Sequence, residues 1–345
     1  MTPVVSVIIP AYNRAGLLRY TLESLRRGLG DLRAEILVVD DGSAPPLAPQ
    51  IEDFQDLPIR WLTQANQGSI VARLHGLSQA QGRYILFLDS DDLVHPEKLP
   101  RQVAELETSG ADVCYTDTAW VTLDGPYESL TVQPRGNLPQ VSRPADLYLS
   151  VQPPPHSCLY RSTYLRPHLE HPLVPVDRRF DPVGDVWIYY NLAPYPARIT
   201  KVAGHYTIYS QHGEGRYTQH WEKLGVAALG VMRAFMAHCP VSDSTLEARR
   251  RVAECAFHSW RKLPNGFQKD YEQAMIALWQ AVPEIPAGRL GGRGFQVLAK
   301  LMGRGAAGRL LRHLQRPHYT TIATLNRREL DQLVTGILTL SEATG

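Results

Sequence analysis

Four short runs, apolar but for Ser6 and Arg60, set the fold: Val4–Ile9, Ile36–Val39, Ile59–Leu62 and Tyr84–Leu88. Each is too short for a helix and is closed by turn-forming residues, which is the pattern of buried strands. Between them lie helical patterns. Arg14–Arg27 carries Leu17, Leu18, Leu22 and Leu25 on one face, and Gly68–Ala80 carries Ile70, Val71, Leu74 and Leu77. Pro96–Thr108 is a further helix, with a proline where a helix tolerates the missing N–H. Strand-helix alternation of this kind predicts an α/β fold, an open and mostly parallel sheet with helices on both faces.

Ligands of such sheets bind beyond the carboxyl ends of the strands. Three chemically distinctive segments fall at those ends: Pro10-Ala11-Tyr12-Asn13, Asp40-Asp41-Gly42-Ser43 and Asp89-Ser90-Asp91-Asp92. The last presents clustered carboxylates at a sheet edge. Hard oxygen donors of that kind suit Mg²⁺ or Mn²⁺, and a divalent ion there would hold a diphosphate. A solvated acidic turn is the plainer alternative. Tyr12 offers a ring for stacking on a nucleobase or, more simply, a loop tyrosine. Asp40 and Asp41 can accept from a base N–H or cap their own turn.

The chain of 345 residues is long enough for two domains, and its formal charge of +2 excludes the strong basic excess of a nucleic-acid binder. Cys114, Cys158, Cys239 and Cys255 are scattered and form no CxxC pair, which predicts reduced thiols in a cytoplasmic protein. The N-terminus has no basic region before its first strand, so no signal peptide is expected. No apolar run reaches spanning length; the nearest, Gly225–Ala237, is short and carries Arg233.

Taken together, four motifs resemble the family 2 glycosyltransferases of the GT-A fold. They are Val5–Arg14, Val38–Ser43, Asn66-Gln67-Gly68 with Ala72-Arg73, and Gly82–Asp92, in order and at the family's spacing. The resemblance implies inverting transfer of a sugar from a nucleotide-diphosphate sugar, UDP- first and dTDP- next, to a hydroxyl acceptor. It implies Mn²⁺ or Mg²⁺ as cofactor, and a saccharide or lipid-linked acceptor in surface polysaccharide or glycolipid assembly. Matched residue by residue, Pro10 and Tyr12 would line the base pocket, Asp41 would accept from the base, and Asp40 would support the turn. Arg73 would lie near the nucleotide or the acid cluster, Asp89 on the ribose and metal side, and Asp91 would ligate the ion. Leu74 departs from the family's usual Ala-Arg-Asn.

An inverting transfer needs a base for the acceptor hydroxyl. The family supplies it from a Glu-Asp pair opening a helix, and Gly184-Asp185 stands at the matching place, with Gly184 replacing the glutamate. Asp185 is the expected base and Asp181 the reserve; a plain helix N-cap is the structural alternative for Asp185. The segment Tyr209–Gly215 resembles the family's His-Gly element, in which His212 would complete the metal shell. Trp187, Tyr189 and Tyr190 would stack on an acceptor sugar, or be core.

The expected division is a GT-A catalytic domain over residues 1–215 and a helical domain over 216–345, which begins with helices Trp221–His238 and Ser244–Lys262. From Arg289 to Arg316 every charged residue is basic, interleaved with leucines; such a stretch can lie on an anionic membrane surface at the inner face, or pack on the domain or a second subunit. Among other classes, a nicotinamide-dependent enzyme would require a GxGxxG after the first strand, and none is there. A catalytically silent GT-A-like module that binds a nucleotide or glycan is the alternative, supported by Gly184.

Overall fold

The computed structural model describes residues 2–213, 220–282 and 285–342; the expected boundary after Gly215 lies outside them. The chain forms two compact units. The first comprises Met1–Pro172 and Tyr195–Glu214, and the second comprises Leu173–Pro194 and Gly215–Gly345. Asp185 thus belongs to the second unit.

The first unit holds strands β1 (Val5–Ala11), β2 (Ala34–Asp40), β3 (Ile59–Thr63), β4 (Tyr84–Phe87), β5 (Leu93–Val94), β6 (Val113–Thr122), β7 (Gln133–Gly136), β8 (Leu159–Arg161) and β9 (Ile199–Gln211). Its helices are α1 (Ala15–Leu29), α2 (Ser69–Gln79), α3 (Lys98–Ser109), the single turn α4 (Pro144–Asp146) and α5 (Ser162–Glu170). All strands share one sheet in the order β3-β2-β1-β4-β8-β6-β9-β5, with β7 beside β6. The parallel expectation holds for the first four strands. Farther along the sheet is mixed, because β8 runs antiparallel to both β4 and β6 while β6 and β9 are parallel.

Val5, Val7 and Ile9 on one face of β1 are fully buried with Leu18, Leu22 and Leu25 of α1, in a cluster that β2, β4 and α3 complete. Each such side chain contributes about 1.5–3 kcal/mol on leaving water. The sequence pattern gives two short strands at Val113–Thr116 and Trp120–Leu123; in the structure they are one strand, β6. The pattern likewise gives short strands at Ile199–Val202 and Tyr206–Tyr209, and these are one strand, β9. Both are joined through a register irregularity between Thr116 and Thr118, where Asp117 pairs with Lys201 at 2.6 Å.

The second unit is helical: α6 (Gly184–Leu192), α7 (Trp221–His238), α8 (Asp243–Lys262), α9 (Lys269–Gln280), α10 (Ala287–Leu290), α11 (Arg293–Met302), α12 (Arg304–Gln315) and α13 (Arg327–Leu338). Trp260, Trp279, Phe257 and Phe295 form its aromatic centre. No helix among the described residues is long and apolar enough to cross a membrane.

Candidate active site

Parallel pairing of β2, β1 and β4 brings their carboxyl ends side by side, so the three segments singled out in the sequence lie on one edge of the sheet. The loop after β1 is bound to the loop after β2. The Asn13 N–H donates to Ser43 Oγ (2.9 Å), the Ala44 N–H donates to Asn13 Oδ1 (2.9 Å), and the Asp41 N–H donates to the Ala11 carbonyl (2.9 Å). Tyr12, carried between these anchors, leaves its ring 48% exposed, and Pro10 is half-buried in β1.

Asp40 and Asp41 are both buried, and each holds a loop. Asp40 accepts from the N–H groups of Ser43 (2.8 Å) and Leu47 (2.8 Å), fixing the turn after β2. Asp41 reaches the loop before α2. Its Oδ1 accepts from Gln64 Nε2 (2.8 Å) and the Gln67 N–H (2.9 Å), and its Oδ2 accepts from the Gly68 N–H (2.9 Å). Gly42 between them and Ser43 has a φ of +79°, and a Cβ there would stand 2.9 Å from the Asn66 nitrogen, so only glycine fits the turn.

One oxygen from each of Asp89, Asp91 and Asp92 lies within 4.8 Å of the others. Two guanidinium groups flank the cluster. Arg73 of α2, itself buried, donates to Asp89 Oδ1 at 2.5 Å, and Arg14 donates to Asp91 Oδ2 at 2.8 Å. Packed surroundings would raise the Asp89 carboxyl, but the charge and hydrogen bond of Arg73 outweigh them and hold it below the usual range. From the end of β9, the Ser210 N–H donates to Asp92 Oδ1 (2.9 Å), and His212 Nε2 lies 3.0 Å from Asp91 Oδ2. Three hard-oxygen donors set against two fixed cations leave net negative charge, a composition that fits a divalent cation. Asp91 and its neighbours would hold it, with His212 joined to the cluster through Asp91. Glu214 and Gly215 of the His-Gly element lie outside the described residues.

Beneath the cluster lies a polar layer that sequence reading missed. His156 is fully buried with Nδ1 3.3 Å from Asp92 Oδ2; burial, aided by the nearby Lys98 charge, brings its imidazole down to about 3, so it is neutral. Lys98, at the start of α3, is also fully buried. It donates to Gln102 Oε1 (2.7 Å), the Ser157 carbonyl (3.0 Å) and Thr207 Oγ1 (3.3 Å). Burial lowers its ammonium from 10.5 to about 7. His156 follows a proline run and Lys98 opens a helix, so neither carries a local sign of burial. Arg14 was visible as part of the first motif, although nothing in its spacing assigned it to Asp91.

In the second unit, Asp185 sits in the first turn of α6, half-buried, and its Oδ1 accepts from the Val186 N–H at 2.9 Å. It is not the N-cap, which is Val183. Asp181 is buried in the preceding 3₁₀ segment. Trp187, Tyr189 and Tyr190 are no more than 2% exposed, so of the two readings, stacking wall or core, they are core. Trp187 Nε1 donates to the carbonyls of Val174 and Pro175, and Tyr190 meets Phe235 edge-on.

Residues 6–153 match the family model described as glycosyl transferase family 2. The succinoglycan biosynthesis protein ExoO of Rhizobium meliloti (strain 1021) is 31% identical over 174 residues, covering 49% of this chain and 48% of ExoO. The uncharacterized glycosyltransferase EpsJ of Bacillus subtilis (strain 168) is 37% identical over 116 residues, 33% of each chain. The alignments thus span half or less of these relatives. Among solved structures, S. aureus TarS 1–349 in complex with UDP-GlcNAc superposes with a TM-score of 0.63 at 19% identity, over 90% of this chain and 91% of TarS 1–349. At that identity the likeness is one of fold, and the fold it supports is GT-A with a helical C-terminal region.

Proposed function

Since the chain belongs, through residues 6–153, to glycosyl transferase family 2, we propose that it is an inverting, metal-dependent hexosyltransferase using a UDP-sugar, with dTDP-sugars the next choice. The observation that carries the reading is the gathering of Asp89, Asp91 and Asp92 at the edge where the Tyr12 and Asp41 loops also meet. UDP-GlcNAc in the TarS complex supports the nucleotide class. ExoO supports polysaccharide assembly, with a saccharide or lipid-linked acceptor.

On this reading the Tyr12 ring stacks on the base, while Asp41 and Asp40 hold the loops that frame it. A Mg²⁺ or Mn²⁺ ion, when bound by Asp91 with its carboxylate neighbours and His212, would supply Lewis-acid stabilisation of the departing diphosphate. Arg73 holds Asp89 ionised, and Arg14 orients Asp91 through their ion pair. The base is assigned to Asp185 on the sequence resemblance, and its half-buried carboxylate suits proton acceptance.

The test is release of nucleotide from a panel of UDP- and dTDP-sugars with saccharide acceptors. Asp91→Ala should remove turnover at saturating Mn²⁺, and wild-type turnover in that variant would sink the metal assignment. Asp185→Asn should keep nucleotide binding and lose transfer; unchanged transfer would move the base elsewhere. Gly184 in place of the family's glutamate favours a second reading, a silent nucleotide- or glycan-binding module, which any turnover excludes.

A further inference from the structure

Helices α11 and α12 pack on the second unit by one face only. Phe295 sits against Phe257 with ring centroids 5.5 Å apart, Gly308 abuts the Trp260 ring, and Arg312 pairs with Glu272 at 2.5 Å. The other face is apolar and open: Val297 is 58% exposed, Leu301 77%, Leu310 37% and Leu314 71%. Val297 and Leu301 are four residues apart on α11, as are Leu310 and Leu314 on α12, so each pair forms a ridge.

Cations share these faces. Arg293 and Lys300 lie at helical spacing from Val297, and Arg309 and His313 adjoin Leu310 and Leu314. Between Glu284 and Glu329 the sequence has no acidic residue at all. Arg293, Lys300, Arg304 and Arg309 have no carboxylate partner among the described residues. A soluble protein surface normally intersperses both signs and avoids adjoining exposed leucines. A nucleic acid would satisfy the cations and leave the leucines in water. A bilayer with anionic headgroups satisfies both, taking leucines into its acyl boundary and cations at its phosphates.

We propose that the exposed faces of α11 and α12 form a docking surface for an anionic lipid bilayer. The inference rests on these helices alone and stands independently of the proposed transferase activity. Co-sedimentation with vesicles tests it, using phosphatidylcholine alone and two parts phosphatidylcholine to one part phosphatidylglycerol. The full chain should sediment with the mixed vesicles, much less with the neutral ones, and more weakly as salt rises. Each cation near such a surface is worth roughly fivefold in partitioning, so Lys300→Ala with Arg309→Ala should weaken binding about 25-fold. Leu301→Glu with Leu314→Glu should abolish it. All four side chains are exposed, so melting temperatures should stay at wild type and exclude misfolding as the cause. Indifference of the wild type to the mixed vesicles, or binding that survives both double variants, would overturn the proposal. So would a dimer in analytical ultracentrifugation that the double leucine variant dissociates, since a second copy would then own this face.

Discussion

Replacing Lys98 by methionine should change how the stability of the protein depends on pH. The ammonium is fully buried and titrates at about 7 in the folded chain, against 10.5 for an ordinary lysine. As pH falls from 10.5 toward 7, the unfolded chain takes up a proton that the folded chain does not, so stability declines and levels off below 7. Linkage between those two values makes the wild type gain about 1.5 kcal/mol between pH 7 and pH 8.5. The thioether of the Lys98→Met variant has no proton to exchange, and its near-equal volume keeps the cavity filled. The loss of three donated hydrogen bonds shifts the whole curve without tilting it. The assay is urea unfolding of both proteins at several pH values in that window under reducing conditions, read as the difference between them. Burial pushes the Cys114 and Cys158 thiols up to about 12, but that contribution is common to both proteins and cancels. A wild-type curve that converges on or departs from the variant's by about 1.5 kcal/mol across the window is the expected result. Parallel curves would refute the buried, depressed ammonium and with it the polar layer under the acid cluster.

Two further outcomes follow from the packing. In Gly82→Ala the new Cβ would stand 2.5 Å from the Ser6 nitrogen and 2.8 Å from the Val5 carbonyl carbon, so backbone must move. Such overpacking costs about 1–3 kcal/mol, and an unchanged melting temperature would contradict the geometry. Asp41→Ala strands the N–H groups of Gln67 and Gly68 and the Gln64 amide, at about 1–3 kcal/mol for each donor that water does not reach. Amide exchange over residues 64–72 should accelerate; unaltered protection would mean that Asp41 does not hold the loop.

Much of the first unit was legible because its chemistry is repetitive. Val4–Ile9 is apolar but for Ser6, Ile36–Val39 is wholly apolar, and every residue of Ile36–Val39 is fully buried. Turn residues close both runs, so strand ends and the segments they carry could be placed from periodicity. The continuity of β6 is hidden because its middle is polar, and that of β9 because Ala203, Gly204 and His205 break its apolar pattern. Asp117 and Thr118 interrupt the apolar pattern after Thr116, yet Asp117 is buried and satisfied by Lys201 and by the N–H groups of Leu138 and Gly204. His156 and Lys98 were hidden for the same reason, since a buried polar group is recognisable only by partners far away in sequence. Trp187, Tyr189 and Tyr190 left two readings open, stacking wall or core, because adjacent aromatics on one helix fit either; burial decides for core.

Binding of a nucleoside diphosphate at the Asp89-Asp91-Asp92 edge through a divalent ion underlies the proposed activity. Calorimetric titration with UDP, with and without Mn²⁺, and with dTDP, GDP and CDP as comparators, tests it most directly. UDP should bind only with Mn²⁺ present, and binding should disappear in Asp91→Ala. UDP binding of equal strength without the ion and in that variant would contradict it, as would silence from all four nucleotides.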